Sequence, residues 1–199
     1  SGYAQMDTLF SLAPLLFLVF IPALTMRFFA DERMDGTFEL ILTKPISELE
    51  IVLAKYFSGL TLITIAILPT LIHYFSVYQL GDPIGNLDSA GILGSYIGLF
   101  FLASSFVAIG TFASVLTKNQ IISFVIAIFL IGFFYLGWDI ISNGISSGKV
   151  ELVIKYFGIN SHYLSLSKGV IDSRDLIYFI SLNCMFVLLT KATLIVRKW

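Results

Sequence analysis

Few residues in this 199-residue chain have side chains suited to catalysis or metal binding. Two histidines, His73 and His162, and one cysteine, Cys184, are the whole supply of imidazole and thiol. A structural metal centre draws on several Cys and His ligands at short spacings, and a single cysteine also excludes an internal disulfide. No catalytic, cofactor-binding or metal-ligating residue is assigned. His73 lies one turn after Pro69 and beside Tyr74, where helix packing or pore lining is the expected role. His162, between Ser161 and Tyr163, is expected to be solvated at a membrane surface. Gly144 to Lys149 imitates the end of a phosphate loop, but Val150 follows Lys149 where Ser or Thr is needed, and only three residues separate the glycines. The segment is therefore not a phosphate loop.

The remaining candidates are charges, and they are concentrated. Arg27 to Lys55 holds ten of the twenty-five charged residues. From Glu32 to Leu42 the apolar residues Met34, Phe38, Ile41 and Leu42 recur at helical spacing among Asp31, Glu32, Asp35 and Glu39, which predicts one amphipathic helix along a membrane surface. Pro45 restricts Lys44 away from helical angles and ends it. Ser47 with Glu50 three residues on forms a capping box that starts the next helix. Such a segment is either an interfacial anchor or a docking surface for a cytoplasmic partner.

The elements that position this segment follow from composition. Hydrophobic residues make up 57% of the chain against about half in ordinary domains, charged residues 13% against about a quarter, and the mean hydropathy is +0.92. A net charge of −1 gives no basic face for nucleic acid. Charge-free runs extend over Thr8–Met26, Tyr56–Gly81, Ser89–Thr117, Asn119–Trp138 and Leu176–Thr190, the last lengthened to Val196 if Lys191 snorkels. About 20 apolar residues at 1.5 Å each cross a hydrocarbon core of about 30 Å. The predicted fold is therefore all-α: a polytopic membrane helix bundle with five spans, forming a single domain over residues 1–199.

Lys and Arg set the orientation. Arg27, Arg33, Lys44, Lys55, Lys118, Lys191, Arg197 and Lys198 fall on one face, against Lys149, Lys155, Lys168 and Arg174 on the other. The richer face is expected to be cytoplasmic, with Trp138 and Trp199 at opposite interfaces. An external amino terminus with five spans, no initiator Met and no signal peptide predicts a missing first helix and six spans in all. Gly94 and Gly98 form a G-x-x-x-G step expected to serve helix packing within the subunit or across a dimer. Pro14, Pro22 and Pro69 are expected to kink their helices. Asn183 is expected to hydrogen-bond between helices. Asp139 to Asp175 is too long for a tight turn, and its amphipathic stretch from Val150 to Phe157 fits a loop resting on headgroups.

The run Arg27-Phe28-Phe29-Ala30-Asp31-Glu32-Arg33, followed by Gly36-Thr37-Phe38-Glu39-Leu40-Ile41-Leu42-Thr43-Lys44-Pro45, resembles the R-x-x-A-x-E-(4)-G-T-x-E-L-L-L-T-x-P signature of type-2 ABC exporter permeases. The opening Met6-Asp7-Thr8-Leu9-Phe10-Ser11-Leu12-Ala13-Pro14, with Leu116-Thr117-Lys118-Asn119-Gln120 and Lys168-Gly169-Val170-Ile171-Asp172, is similar to the gliding-motility branch of that family, the GldF-type permeases of the Bacteroidetes. The resemblance implies a multi-pass permease of the bacterial cytoplasmic (inner) membrane, dimeric or pseudo-dimeric, that is not itself an enzyme. It implies that a separate ABC ATPase, GldA-like in the motility branch, carries ATP and grips residues 27–55 through Glu32, Arg33, Gly36, Thr37, Glu39, Leu42 and Pro45. A GldG-like accessory membrane protein is the other implied partner, and the resemblance also implies short re-entrant external helices, rather than a headgroup loop, within Asp139 to Asp175. No span interior holds Asp or Glu, which disfavours ion-coupled transport. Two functions stay open: export driven by that ATPase, or a non-transporting scaffold that tethers it in a motility or secretion machine.

Overall fold

The computed structural model describes residues 6–81, 84–144 and 148–196, apart from the side chain of Leu42. The expected positions of Trp199, Arg197 and Lys198 fall outside the described residues. Helices α1 (Asp7–Thr25) and α2 (Arg27–Met34) make one 28-residue rod, interrupted only at Met26. After the short α3 (Phe38–Leu42), α4 (Glu48–Ile67) and α5 (Thr70–Leu80) form a second rod broken at Leu68 and Pro69. Pro69 has no N–H to continue the ladder. The third rod is α6 (Ser89–Val115). The fourth is α7 (Gln120–Gly132), a π-helical turn (Phe133–Gly137) and α8 (Trp138–Asn143). Two short helices, α9 (Gly148–Lys155) and α10 (Ile159–Leu166), precede the last rod, α11 (Ser173–Val196). Five helical rods among the described residues are long and apolar enough to span a membrane, as the charge gaps predict. The bundle is all-α across the described residues.

Several rods outrun their charge-free stretches. The first continues from Met26 to Met34, and the second starts at Glu48 rather than Tyr56. Charge limits how deep a residue sits, whereas backbone hydrogen bonding carries the helix beyond the apolar zone. The start of α4 matches expectation: Ser47 Oγ accepts from Glu50 N at 3.3 Å, and Glu50 Oε2 accepts from Ser47 N at 2.8 Å.

Helix α6 is the axle, packed against α1, α4, α7, α10 and α11. Its small residues make that possible. A Cβ on Gly110 would stand 2.2 Å from Thr25 Oγ1 of α1, and one on Gly59 of α4 would stand 2.7 Å from Val107 Cγ1 of α6. Without a strong hydrophobic drive between helices in lipid, close backbone approach and interhelical hydrogen bonds hold the bundle. One such bond runs from Asn183 Nδ2 to Ser104 Oγ at 2.9 Å, joining α11 to α6 as expected of Asn183. Large apolar side chains such as Leu16, Ile65, Ile72, Val125, Phe129 and Leu188 point outward, as lipid contact requires.

The bundle has two distinct ends. At one, α2 lies against the last residues of α6. At the other, α10 packs on α6, α11 and the π turn. Its Ile159, His162, Tyr163 and Leu166 are buried, whereas α9 buries none of its side chains. Residues 148–166 thus hold one docked helix and one exposed helix. Gly94 and Gly98 face this cap: their Cβ positions lie 2.8 Å from Gly169 Cα and 2.6 Å from Leu166 Cβ. Ser95 Oγ donates to Ser167 O at 2.8 Å on the same face.

Candidate functional site

The coupling segment departs from the sequence expectation in one respect that governs the rest. Glu32 to Leu42 is not one helix. It breaks after Met34, and Gly36 adopts φ +72°, a left-handed conformation that glycine takes without steric cost. Periodicity cannot register a single residue of reversed handedness, so the predicted continuous stripe divides. Phe38 turns in and is buried, and Ile41 is half-buried, but Met34 is left exposed.

What folds inward is a clamp. The α1–α2 junction has no cap from its own side chains. Ser114 of α6 supplies one: its Oγ accepts from Phe29 N at 2.9 Å and Ala30 N at 3.3 Å, and donates to Met26 O at 3.2 Å. In return, Arg33 Nη1 donates at 2.7 Å to Val115 O at the end of α6. The Arg33 guanidinium lies over the Phe38 ring at 5.5 Å, and Phe29 meets Phe38 edge-on at 6.2 Å. Glu32 pairs with Lys55 of α4, whose ammonium sits 6.0 Å from the Phe29 ring centre. The segment is therefore fastened to α1, α4 and α6 together.

What faces outward is a mixed surface. Gly36, Thr37, Glu39 and Pro45 are exposed, together with Met34, Leu40 and Ile46, large apolar residues at 58%, 67% and 45% exposure. Of the seven residues singled out in the sequence, Glu32 and Arg33 belong to the clamp and four to the outer surface. The Leu42 side chain lies outside the described residues. Ser114 and Lys55 give no sequence signal as clamp members, since each is one of many small or basic residues near a span end. Leu40 and Ile46 carry a weak one, because their exposure follows only once the break at Gly36 is known.

The two histidines occupy different settings. His73 is exposed on α5, bordering an apolar groove of about 440 Å³ between α1 and the second rod, with Leu12, Leu16 and Thr70. His162 is not solvated. It is 2% exposed, its Nδ1 lies 2.6 Å from Asp175 Oδ1, and its Nε2 donates to Tyr156 O at 2.8 Å. The imidazole also stacks on Tyr178 at 3.9 Å. The short helices of residues 148–166 fold back on the bundle and enclose it, which single-residue reasoning at an interface could not anticipate.

The same cap meets α1. Tyr163 Oη donates at 2.6 Å to Phe10 O, the carbonyl that Pro14, lacking an N–H, leaves without its helical donor. Burial raises the Tyr163 phenol well above its ordinary value.

Among the described residues no group of three or more His, Cys, Asp or Glu side chains stands close enough to hold a metal ion. Residues 2–196 match the profile of the ABC-2 family transporter proteins. No curated protein and no solved structure matches the chain. With all but its ends matched to that profile, and with five membrane-length rods, this multi-pass membrane chain belongs to the ABC-2 family of transporter proteins.

Proposed function

We propose that the chain is the permease subunit of an ATP-driven exporter in a bacterial inner membrane, with residues 27–55 in the cytoplasm and gripped by a separate ABC ATPase that binds the ATP. The carrying observation is the two-sidedness of that segment. Its outer side offers Met34, Glu39, Leu40 and Ile46 to a partner, while its inner side is fastened to three rods through Ser114, Arg33 and the Glu32–Lys55 pair. A partner that moved the outer surface would move the rods with it, so closure of paired ATPases would rock the spans between inward and outward openings. The similarity of Met6–Pro14 and Lys168–Asp172 to the gliding-motility branch supports placing the exporter there, with GldA-like and GldG-like partners and a second permease copy or homologue.

The test is co-purification with the ATPase subunit. Glu39→Lys and Leu40→Asp should each reduce recovery at least fivefold, and unchanged recovery would overturn the docking role. Side is read separately. In a Cys184→Ala background, Lys44→Cys should react with an impermeant maleimide only in inside-out vesicles. Stimulation of ATP hydrolysis by an added substrate in reconstituted vesicles favours export over the scaffold alternative.

A further inference from the structure

At the end of the bundle opposite the coupling segment, a cavity of about 500 Å³ opens between the first turns of α1, the π turn and the end of α10. That volume is typical of small-molecule sites. Its polar wall consists of Asp7 and Ser11 from α1, Tyr135 from the π turn, and Ser167 and Lys168 after α10.

Tyr135 is the informative residue. It is 94% buried by its 6% exposure, and its ring is held edge-on against Phe106 at 5.8 Å. Its hydroxyl borders the cavity and has no hydrogen-bond partner among the described residues. Tyr163 on the same wall differs, because its hydroxyl is committed to Phe10 O. With its ring buried and its oxygen open to the cavity, the phenol can donate to a group bound there. The π turn that carries Tyr135 is an uncommon feature of helices that recurs at functional sites.

The charges around it narrow the ligand. Asp7 and Lys168 line one cavity, and no ion pair joins them or occupies either one among the described residues. A separated carboxylate and ammonium complement a zwitterion. A purely anionic group would suit Lys168 but meet Asp7. A quaternary ammonium offers Asp7 no N–H, whereas a primary ammonium offers three. Phe10 and Leu164 supply an apolar edge for the first carbons of an anchored chain.

We propose that this cavity binds the phosphoethanolamine headgroup of a phospholipid, its ammonium at Asp7 and its phosphate at Lys168, Tyr135 and the serine hydroxyls. The site stands on its own geometry. Only the leaflet rests on the function proposed above, which makes it the outer one.

Native mass spectrometry of the purified chain, equilibrated with equal amounts of dioleoyl phosphatidylethanolamine, phosphatidylglycerol and phosphatidylcholine, tests the assignment. Phosphatidylethanolamine should be retained preferentially. Asp7→Asn and Lys168→Gln should each lower its retention about tenfold, and Tyr135→Phe about threefold. Lys168→Arg and the distant Lys149→Gln should leave it intact, which separates loss of the site from loss of the fold. Equal or greater retention of phosphatidylglycerol or phosphatidylcholine would overturn the proposal, as would indifference to all three cavity variants. Displacement by soluble glycerophosphoethanolamine at an affinity equal to the lipid's would overturn the membrane source of the headgroup. ATPase co-purification measured on the same variants should not change, so failure here and failure of the coupling role are distinguishable.

Discussion

Tyr163→Phe removes one oxygen from a side chain that is 2% exposed and leaves its ring in place. The oxygen donates at 2.6 Å to Phe10 O, and Pro14 cannot serve that carbonyl. Loss of the donor leaves a buried acceptor unmatched, which costs about 1–3 kcal/mol. Phe10 also borders the cavity beside Tyr135, so water has a route to the carbonyl and the lower half of the range applies, about 1–2 kcal/mol. Pro14→Ala restores a backbone N–H at the position that an α-helix pairs with Phe10 O. In that background the tyrosine oxygen is largely redundant, and Tyr163→Phe should cost under about 0.5 kcal/mol. The coupling energy of the double-mutant cycle is therefore about 1 kcal/mol, and the cycle cancels any packing change at Pro14 itself. Reversible unfolding of the four proteins in mixed micelles against sodium dodecyl sulfate measures it. Equal costs of Tyr163→Phe in both backgrounds would refute the claim that the phenol substitutes for the missing helical donor.

Four further outcomes follow from the same contacts. Because burial raises the Tyr163 phenol above its ordinary value near about 10, the unfolded chain loses that proton first. Its contribution to stability is thus complete below that pH and declines as pH rises above it; Tyr163→Phe should flatten the alkaline slope of the unfolding free energy. His162→Ala strands the 6%-exposed Asp175 without its partner, a loss of about 3–5 kcal/mol for a broken buried pair, and should accelerate amide exchange across residues 156–168; unaltered exchange there would exclude a fastening role. Gly169→Ala combines φ +77° with a Cβ placed 2.3 Å from Gly91 Cα, whereas Gly36→Ala at φ +72° meets nothing within 4 Å. The second should cost about 1–2 kcal/mol from left-handed strain alone, and unfolding measurements should find the first distinctly worse. Glu32→Gln weakens a partly exposed pair worth at most about 1 kcal/mol; it should leave ATPase recovery intact while lowering stimulated hydrolysis, the reverse order of effects from Glu39→Lys.

The spans were legible because exclusion of charge from hydrocarbon is a one-dimensional rule, and the gaps between charges translate directly into rods. The capping box at Ser47 was legible for a similar reason, since both partners lie within one turn. The hidden features depend on residues distant in sequence or on a single torsion. Ser114 reaches Phe29 across 85 positions, and Asp175 reaches His162 only because the cap folds back on α11. Glycine can take positive φ almost anywhere, so the sequence around Gly36 read as uninterrupted periodicity. Gly94 and Gly98 announced a close approach but not its partner, which is the cap at Leu166 and Gly169.

The rod of α1 and α2 touches both extremes of the protein, with Phe10 bonded to the cap and Phe29 to Arg33 embedded in the clamp. Twenty-eight residues at 1.5 Å each make it about 42 Å long. A rod of that length joins the two ends with no intervening loop, its helix interrupted at Met26. A displacement of the clamp would therefore bear directly on the contact between Phe10 and the cap.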